Sequence, residues 1–160
     1  MSEAVTKPRA CEAQSVQAVG GSGYPEPFCQ RVATRSKRRL GEVFGLGQFG
    51  VNLVTLAPGA QSALRHWHTH EDEFVYVLQG QLVLVTDEGE TALAAGMCSG
   101  FRAGERNGHH LLNRSDQPAQ YLEVGARIGH DLCVYPDDDL LSLRDADGEY
   151  WAHKNKHPYS

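Results

Sequence analysis

The 160-residue chain has no apolar run approaching the ~18 residues of a membrane-spanning helix, and its opening MSEAVTKPRACEAQSVQAVGGSG lacks the apolar stretch of an export signal. Cysteine is sparse: Cys11, Cys29, Cys98 and Cys133 are scattered, with no CxxC pair. In a chain without an export signal these read as free thiols rather than a disulfide framework, and the expected address is the cytoplasm. No GxSxG, phosphate loop or nucleotide fingerprint occurs, so neither a nucleophile elbow nor a dinucleotide fold is indicated. Positive charge is short as well. A net charge of −5 gives no general attraction for nucleic acid or anionic membrane, and no DNA-binding helix pattern appears. Neither nucleic acid nor membrane is therefore expected as a partner. The one basic run, RSKRR at 35–39, reads as a solvated edge.

What remains is a chain long enough for one domain with a real core, of ordinary apolar (41%) and charged (22%) content. Residues 1–23, small and polar, read as a flexible tail. Residues 24–45 read as an arm, with prolines at 25 and 27. From 46 to 127, short β-type runs alternate with glycine-marked turns. EFVYVLQGQLVLVTDEGETAL reads as two strands hinged near Gly80 and closing in a turn at Asp87 to Gly89; AQYLEVGAR is a further strand. Residues 128–160 read as a β extension: a strand, an acidic turn, then a hairpin around Asp147 and Gly148. Asp137 to Asp139 lack the regular spacing of a calcium loop and read as a solvated turn or helix start. Many short strands with little helical period predict an all-β antiparallel sandwich or barrel.

The stretch RHWHTHEDEFVYVLQG crowds histidines and acids at the start of one apolar strand. Side chains at i and i+2 of a strand share a face about 7 Å apart, so His66 and His68 can converge on one ion while Trp67 packs behind. THED suits a turn, which returns Glu73 as a third corner; His70, Glu71 and Asp72 read most simply as exposed turn residues. In GHHLLN, His109 and His110 face opposite ways, and only one of them can join the same interior. By the same alternation Val75 and Val77 share the face of Glu73, which predicts an apolar pocket beyond the metal. Tyr121 and Glu123 share a face of their strand. They are candidates for a general acid or base if that face is interior, the alternative being a packed tyrosine and an outward carboxylate.

PGAQSALRHWHTHEDEFVYVLQG resembles the first signature of the cupin superfamily: glycine, HxH, a spaced glutamate and a closing glycine. GMCSGFRAGERNGHHLLN resembles the second, with Gly96, Gly104, His109 and Asn113 in the family positions. Arg102 stands where proline is usual, and two extra residues precede the histidine. The β-rich region from 46 to 127 extends the resemblance, and the flanking segments resemble those of small single-domain cupins loosely described as sugar phosphate isomerase-like. The resemblance implies a double-stranded β-helix, or jelly-roll barrel, with an N-terminal arm and a C-terminal β extension. It implies His66, His68, Glu73 and His109 as ligands of one divalent metal. His109 is preferred to His110 because its spacing to Asn113 matches the family's.

Imidazole and carboxylate donors suit Fe, Mn, Ni, Co or Zn in the divalent state. The expected function is a metal-dependent isomerase, lyase or dioxygenase acting on a small polar or carbonyl-bearing metabolite; the alternative is a non-catalytic cupin that binds a small ligand as a sensor or accessory protein. A homodimer is expected too, because small cupins of the kind resembled are often dimers; the alternative is that the terminal segments fold back over their own barrel. Exposed strand edges need cover, and Tyr24, Phe28, Phe44 and Phe49, with Leu132, Val134, Tyr135 and Trp151 of the extension, offer apolar surface to a partner's sheet.

Overall fold

The computed structural model describes residues 7–159. Thirteen strands dominate: β1 (Ala18–Gly20), β2 (Arg35–Arg39), β3 (Phe49–Leu56), β4 (Trp67–His68), β5 (Glu73–Gln79), β6 (Gln81–Thr86), β7 (Gly89–Ala94), β8 (Cys98–Phe101), β9 (His110–Leu112), β10 (Ala119–Ala126), β11 (Asp131–Tyr135), β12 (Leu140–Asp145) and β13 (Gly148–Ala152). One short helix, α1 (Leu40–Val43), joins β2 to β3. A six-stranded sheet runs β1-β2-β3-β10-β5-β8; a four-stranded sheet β13-β12-β11-β4 and a three-stranded sheet β7-β6-β9 complete the barrel. Every strand pairing is antiparallel. No helix of the described residues is long and apolar enough to cross a membrane.

The alternation in EFVYVLQ decides which way β5 faces. Val75 and Val77 are buried, while Phe74, Tyr76 and Leu78 point outward and are exposed. β5 pairs with β10 and β8, whereas β6 pairs with β7 and β9, so Gly80 carries the chain from one sheet to the other. Its φ is +80°, and a Cβ there would come within 3.0 Å of Ala119. Only glycine meets both demands. Inside, Val54, Leu56, Val75, Val77 and Tyr121 of the large sheet pack against Leu82, Leu84, Leu93 and Leu111 of the small one. Each such aliphatic side chain contributes about 1.5–3 kcal/mol through removal from water.

The segments expected as tail, arm and extension all take part in the sheets. β1 pairs with β2, so this part of residues 1–23 is not free; residues 1–6 lie outside the described residues. The basic run also departs from its expected role as a solvated edge. It is strand β2, and Lys37 lies opposite the fully buried Val54, which places Arg35, Lys37 and Arg39 on the interior-facing side. Tyr24, Phe28, Trp151 and Tyr159 pack on Leu64, Cys133, Tyr135 and Leu140 of their own chain. The acidic turn is tied down: Asp137 pairs with Arg65 through two contacts of 2.8 Å, Asp138 pairs with Arg31 at 2.7 Å, and Asp139 is hydrogen-bonded to His153 at 2.8 Å.

Candidate metal centre

His66 and His68 come from the segment at β4, Glu73 from the start of β5, and His109 from the residue before β9. His66 bridges His109 through paired backbone hydrogen bonds of 3.1 and 2.9 Å. His68 lies in β4, opposite Cys133 of β11, so the C-terminal extension fixes its position. Glu73 opens β5 on the face of Val75 and Val77. The four side chains converge on one point: Glu73 Oε2 lies 2.9 Å from His109 Nε2, 3.3 Å from His66 Nε2 and 3.6 Å from His68 Nε2. That oxygen is buried and has no hydrogen bond of acceptable geometry among the described residues. A buried carboxylate oxygen ringed by three imidazole nitrogens is the donor set a divalent ion needs.

The surroundings prepare the donors. His66 Nδ1–H donates to the Leu64 carbonyl at 2.7 Å, and His68 Nδ1–H donates to Asp131 Oδ2 at 2.5 Å. Both bonds leave Nε2 turned toward Glu73, the arrangement by which outer partners orient metal-binding imidazoles. Burial opposes ionisation of Glu73, but His66, His109 and His68 override it and hold its pKa well below the carboxylate range. Burial lowers the pKa of His109, which stays neutral with a free lone pair. The pKa of His68 is raised, burial opposing protonation but the Asp131 hydrogen bond and the charges nearby outweighing it, so an ion taking Nε2 would displace a proton there. The His109 ring stacks on Phe101 at 3.5 Å between centroids.

His110 turns away, with Nδ1 3.0 Å from the Ala63 carbonyl. His70 is exposed, beside the His130 ring. Glu71 corrects its reading as an exposed turn residue: it is buried, accepts from Ile128 N at 3.0 Å and pairs with Arg144 at 2.5 Å. Asn113, also buried, donates to the Leu56 and Gln117 carbonyls at 2.9 and 2.8 Å and so ties its loop to the end of β3.

Two residues near the centre carried no signal in the sequence. Asp131, besides holding His68, accepts from His70 N at 2.9 Å and from Thr69 Oγ1 at 3.2 Å. With its oxygens so engaged, and Glu71 engaged by Arg144 and Ile128, the group His68, Glu71 and Asp131 supports the centre rather than forming a second one. Cys133 is buried beside His66 and His68, and burial raises its pKa, so it remains a thiol. Strand parity in GHDLCVY puts Asp131 and Cys133 on one face; only the pairing of β11 with β4 shows which face that is.

The interior is apolar on one side of the centre and charged on the other, which amends the expectation of an apolar pocket. Tyr121 is fully buried, and burial keeps its pKa well above the usual phenol range, as befits a packing residue. Glu123 faces inward instead. Its Oε1 accepts from Lys37 Nζ at 2.7 Å and from Asn52 Nδ2 at 3.0 Å. Burial would raise its pKa, but the Lys37 ammonium prevails and keeps it lowered and ionised. Glu123, Lys37, Glu73 and His66 all line one cavity of about 170 Å³.

The family model for the cupin domain matches residues 52–125. No curated protein matches the chain. Among solved structures, a sugar phosphate isomerase of the cupin superfamily from Silicibacter pomeroyi is 44% identical, with a TM-score of 0.90 over 94% of this chain and 96% of that one. A protein from Acidithiobacillus ferrooxidans put forward as a sugar phosphate isomerase is 26% identical, with a TM-score of 0.71 over 79% of this chain and 80% of that one. The polyketide cyclase RemF from Streptomyces resistomycificus, at 20% identity and a TM-score of 0.59 over 74% of this chain and 79% of that one, shares the fold.

Proposed function

The chain belongs to the cupin superfamily, and from that membership we propose that it is a divalent-metal enzyme isomerising a small carbonyl-bearing metabolite of the sugar phosphate class. His66, His68, Glu73 and His109 are the proposed metal ligands. The observation that carries the catalytic reading is Glu123: an ionised, half-buried carboxylate in the same cavity as Glu73 and His66, held between Lys37 and Asn52. A bare ligand-binding barrel has no need of such a group. The 44% identity to the Silicibacter pomeroyi isomerase, over nearly the whole of both chains, supports the choice of isomerisation over lyase or dioxygenase chemistry.

A divalent ion at this centre would act as a Lewis acid on a substrate oxygen. The protein's own residues supply the proton handling. Glu123 takes a proton from the hydroxyl-bearing carbon beside the carbonyl and returns it to the former carbonyl carbon, and the hydroxyl proton passes from its oxygen to the former carbonyl oxygen. Lys37 steadies the carboxylate and donates a hydrogen bond toward the developing negative charge. Tyr24, Ala63 and Trp151 line the same cavity and limit the access of bulk water to the reacting carbons. The test is turnover of aldose and ketose phosphates in D2O by protein loaded in turn with Fe, Mn, Co, Ni or Zn, with deuterium appearing on the carbon next to the carbonyl. Glu123→Gln is expected to keep its metal and lose about 10²–10⁴-fold in rate. Full activity of that variant, or no deuterium exchange with any of the five metals, would contradict the proposal.

The homodimer remains a proposal, with a different surface. Tyr24, Phe28 and Trp151 are engaged within the chain, so we place the contact on the outer face of the large sheet. Phe74, Tyr76 and Leu78 are exposed there, and the outward positions of β10 beside them are Gln120, Leu122, Val124 and Ala126. A two-fold contact brings a patch against itself, which a uniformly charged face would oppose; no ionised group stands at these positions. Tyr76→Glu is expected to shift the mass in light scattering from about twice 17.6 kDa to the monomer value. A wild-type monomer at micromolar concentration would refute the contact.

A further inference from the structure

In a chain of net charge −5, one wall of the barrel mouth gathers cations, and the metal centre does not account for them. Alternation along β2 turns Arg35, Lys37 and Arg39 to its interior side, and Arg127 at the end of β10 completes the group. These four line a cavity of about 460 Å³ whose opposite wall is the glycine segment 20–23. That volume lies in the range of small-molecule sites. This cavity shares Gly23, Arg35 and Lys37 with the 170 Å³ cavity that touches His66 and Glu73, so the two lie side by side, the smaller one reaching the metal centre.

The cations are only partly neutralised. Lys37 pairs with Glu123 at 2.7 Å, and Glu42 is shared between Arg39 at 3.4 Å and Arg127 at 3.6 Å. Four cations thus face two carboxylates. The Arg35 guanidinium is fixed in place by the Gly21 and Ser62 carbonyls and lies over the Tyr24 ring. Gly21, at φ +78° with open space where a Cβ would be, lets the backbone curve along the cavity without a side chain filling it.

We propose that this wall is the subsite for a phosphate monoester, binding the phosphate end of a substrate whose oxygens reach the metal centre. The uncompensated positive charge matches a dianion, which a phosphate monoester becomes near neutral pH, with its second pKa at about 6. A carboxylate would leave part of it unmatched. Arginine and lysine together suit a group with several acceptor oxygens around one centre. The inference rests on the proposed isomerase only for the orientation of the ligand; the charged cavity stands without it.

The experiment is calorimetric titration of the full chain, metal-free and zinc-loaded, with glycerol 3-phosphate and with glycolate as a monoanionic control. The variant is Arg39→Gln combined with Arg127→Gln; both side chains are substantially exposed, so the fold should survive their neutralisation. Glycerol 3-phosphate is expected to bind the wild type, and the double variant to bind it at least tenfold more weakly while taking up zinc normally. Lys37→Arg, which keeps the charge, is expected to retain binding. Equal affinity in wild type and double variant, or no binding by the wild type, overturns the subsite; so does glycolate binding that matches the phosphate ester and falls with it. Phosphate binding that depends on these arginines in a chain that takes up no zinc would sink the metal reading and leave the subsite standing.

Discussion

Replacing His66 and His68 together by alanine is expected to abolish stoichiometric binding of a divalent ion, and His70→Ala to leave it unchanged. The contrast follows from strand geometry. His66 and His68 turn Nε2 to within 3.3 and 3.6 Å of Glu73 Oε2, whereas His70, two residues on, is exposed at the bend before β5. Removing both leaves only Glu73 and His109, too few protein donors to hold a labile first-row ion through dialysis. Elemental analysis of the dialysed proteins reads the result. Metal retained in full by the double variant, or lost on replacing His70, would place the ion elsewhere.

Asp131→Ala is expected to weaken metal binding by roughly 10–100-fold without removing any ligand. The Asp131 carboxylate holds His68 Nδ1 at 2.5 Å and so fixes both the tautomer and the direction of Nε2. It also caps the turn through His70 N and Thr69 Oγ1, so the substitution loosens the segment that carries the histidine. Asp131→Asn separates the two effects. Its amide oxygen can still accept from Nδ1–H, so ring orientation survives while the negative charge is lost, and an intermediate affinity is expected. Competition titration against a chromophoric chelator measures all three proteins. Equal affinity in wild type and Asp131→Ala would mean that His68 either needs no orientation or is not a ligand.

His66, His68 and Glu73 were legible from local period and turn spacing, whereas His109 was singled out from His110 only by the resemblance, through its spacing to Asn113. HxH on a strand, a four-residue bend and a returning glutamate can be read from neighbours in the chain. So could the strands themselves, the passage at Gly80, and the hairpin at Asp147 and Gly148, where β12 and β13 pair. Asp131 was hidden because its partner is 63 residues away, and only the pairing of β11 with β4 brings the two together. The RSKRR run misled for a related reason. Five polar residues in a row look solvated, yet the first four are half-buried, and alternate members of the run line a charged cavity. Glu71 misled through its neighbours, since its burial depends on Arg144 from β12 arriving to pair with it. The aromatic residues of the arm and extension showed that something must cover them, but not that each would cover the other.

The most direct measurement is an anomalous-difference map, recorded at the zinc edge, from crystals of the zinc-loaded protein. A single peak is predicted about 2.0–2.2 Å from a Glu73 carboxylate oxygen and from Nε2 of His66, His68 and His109. A peak lying instead on Glu71 and Asp131, or none within the barrel, would contradict it.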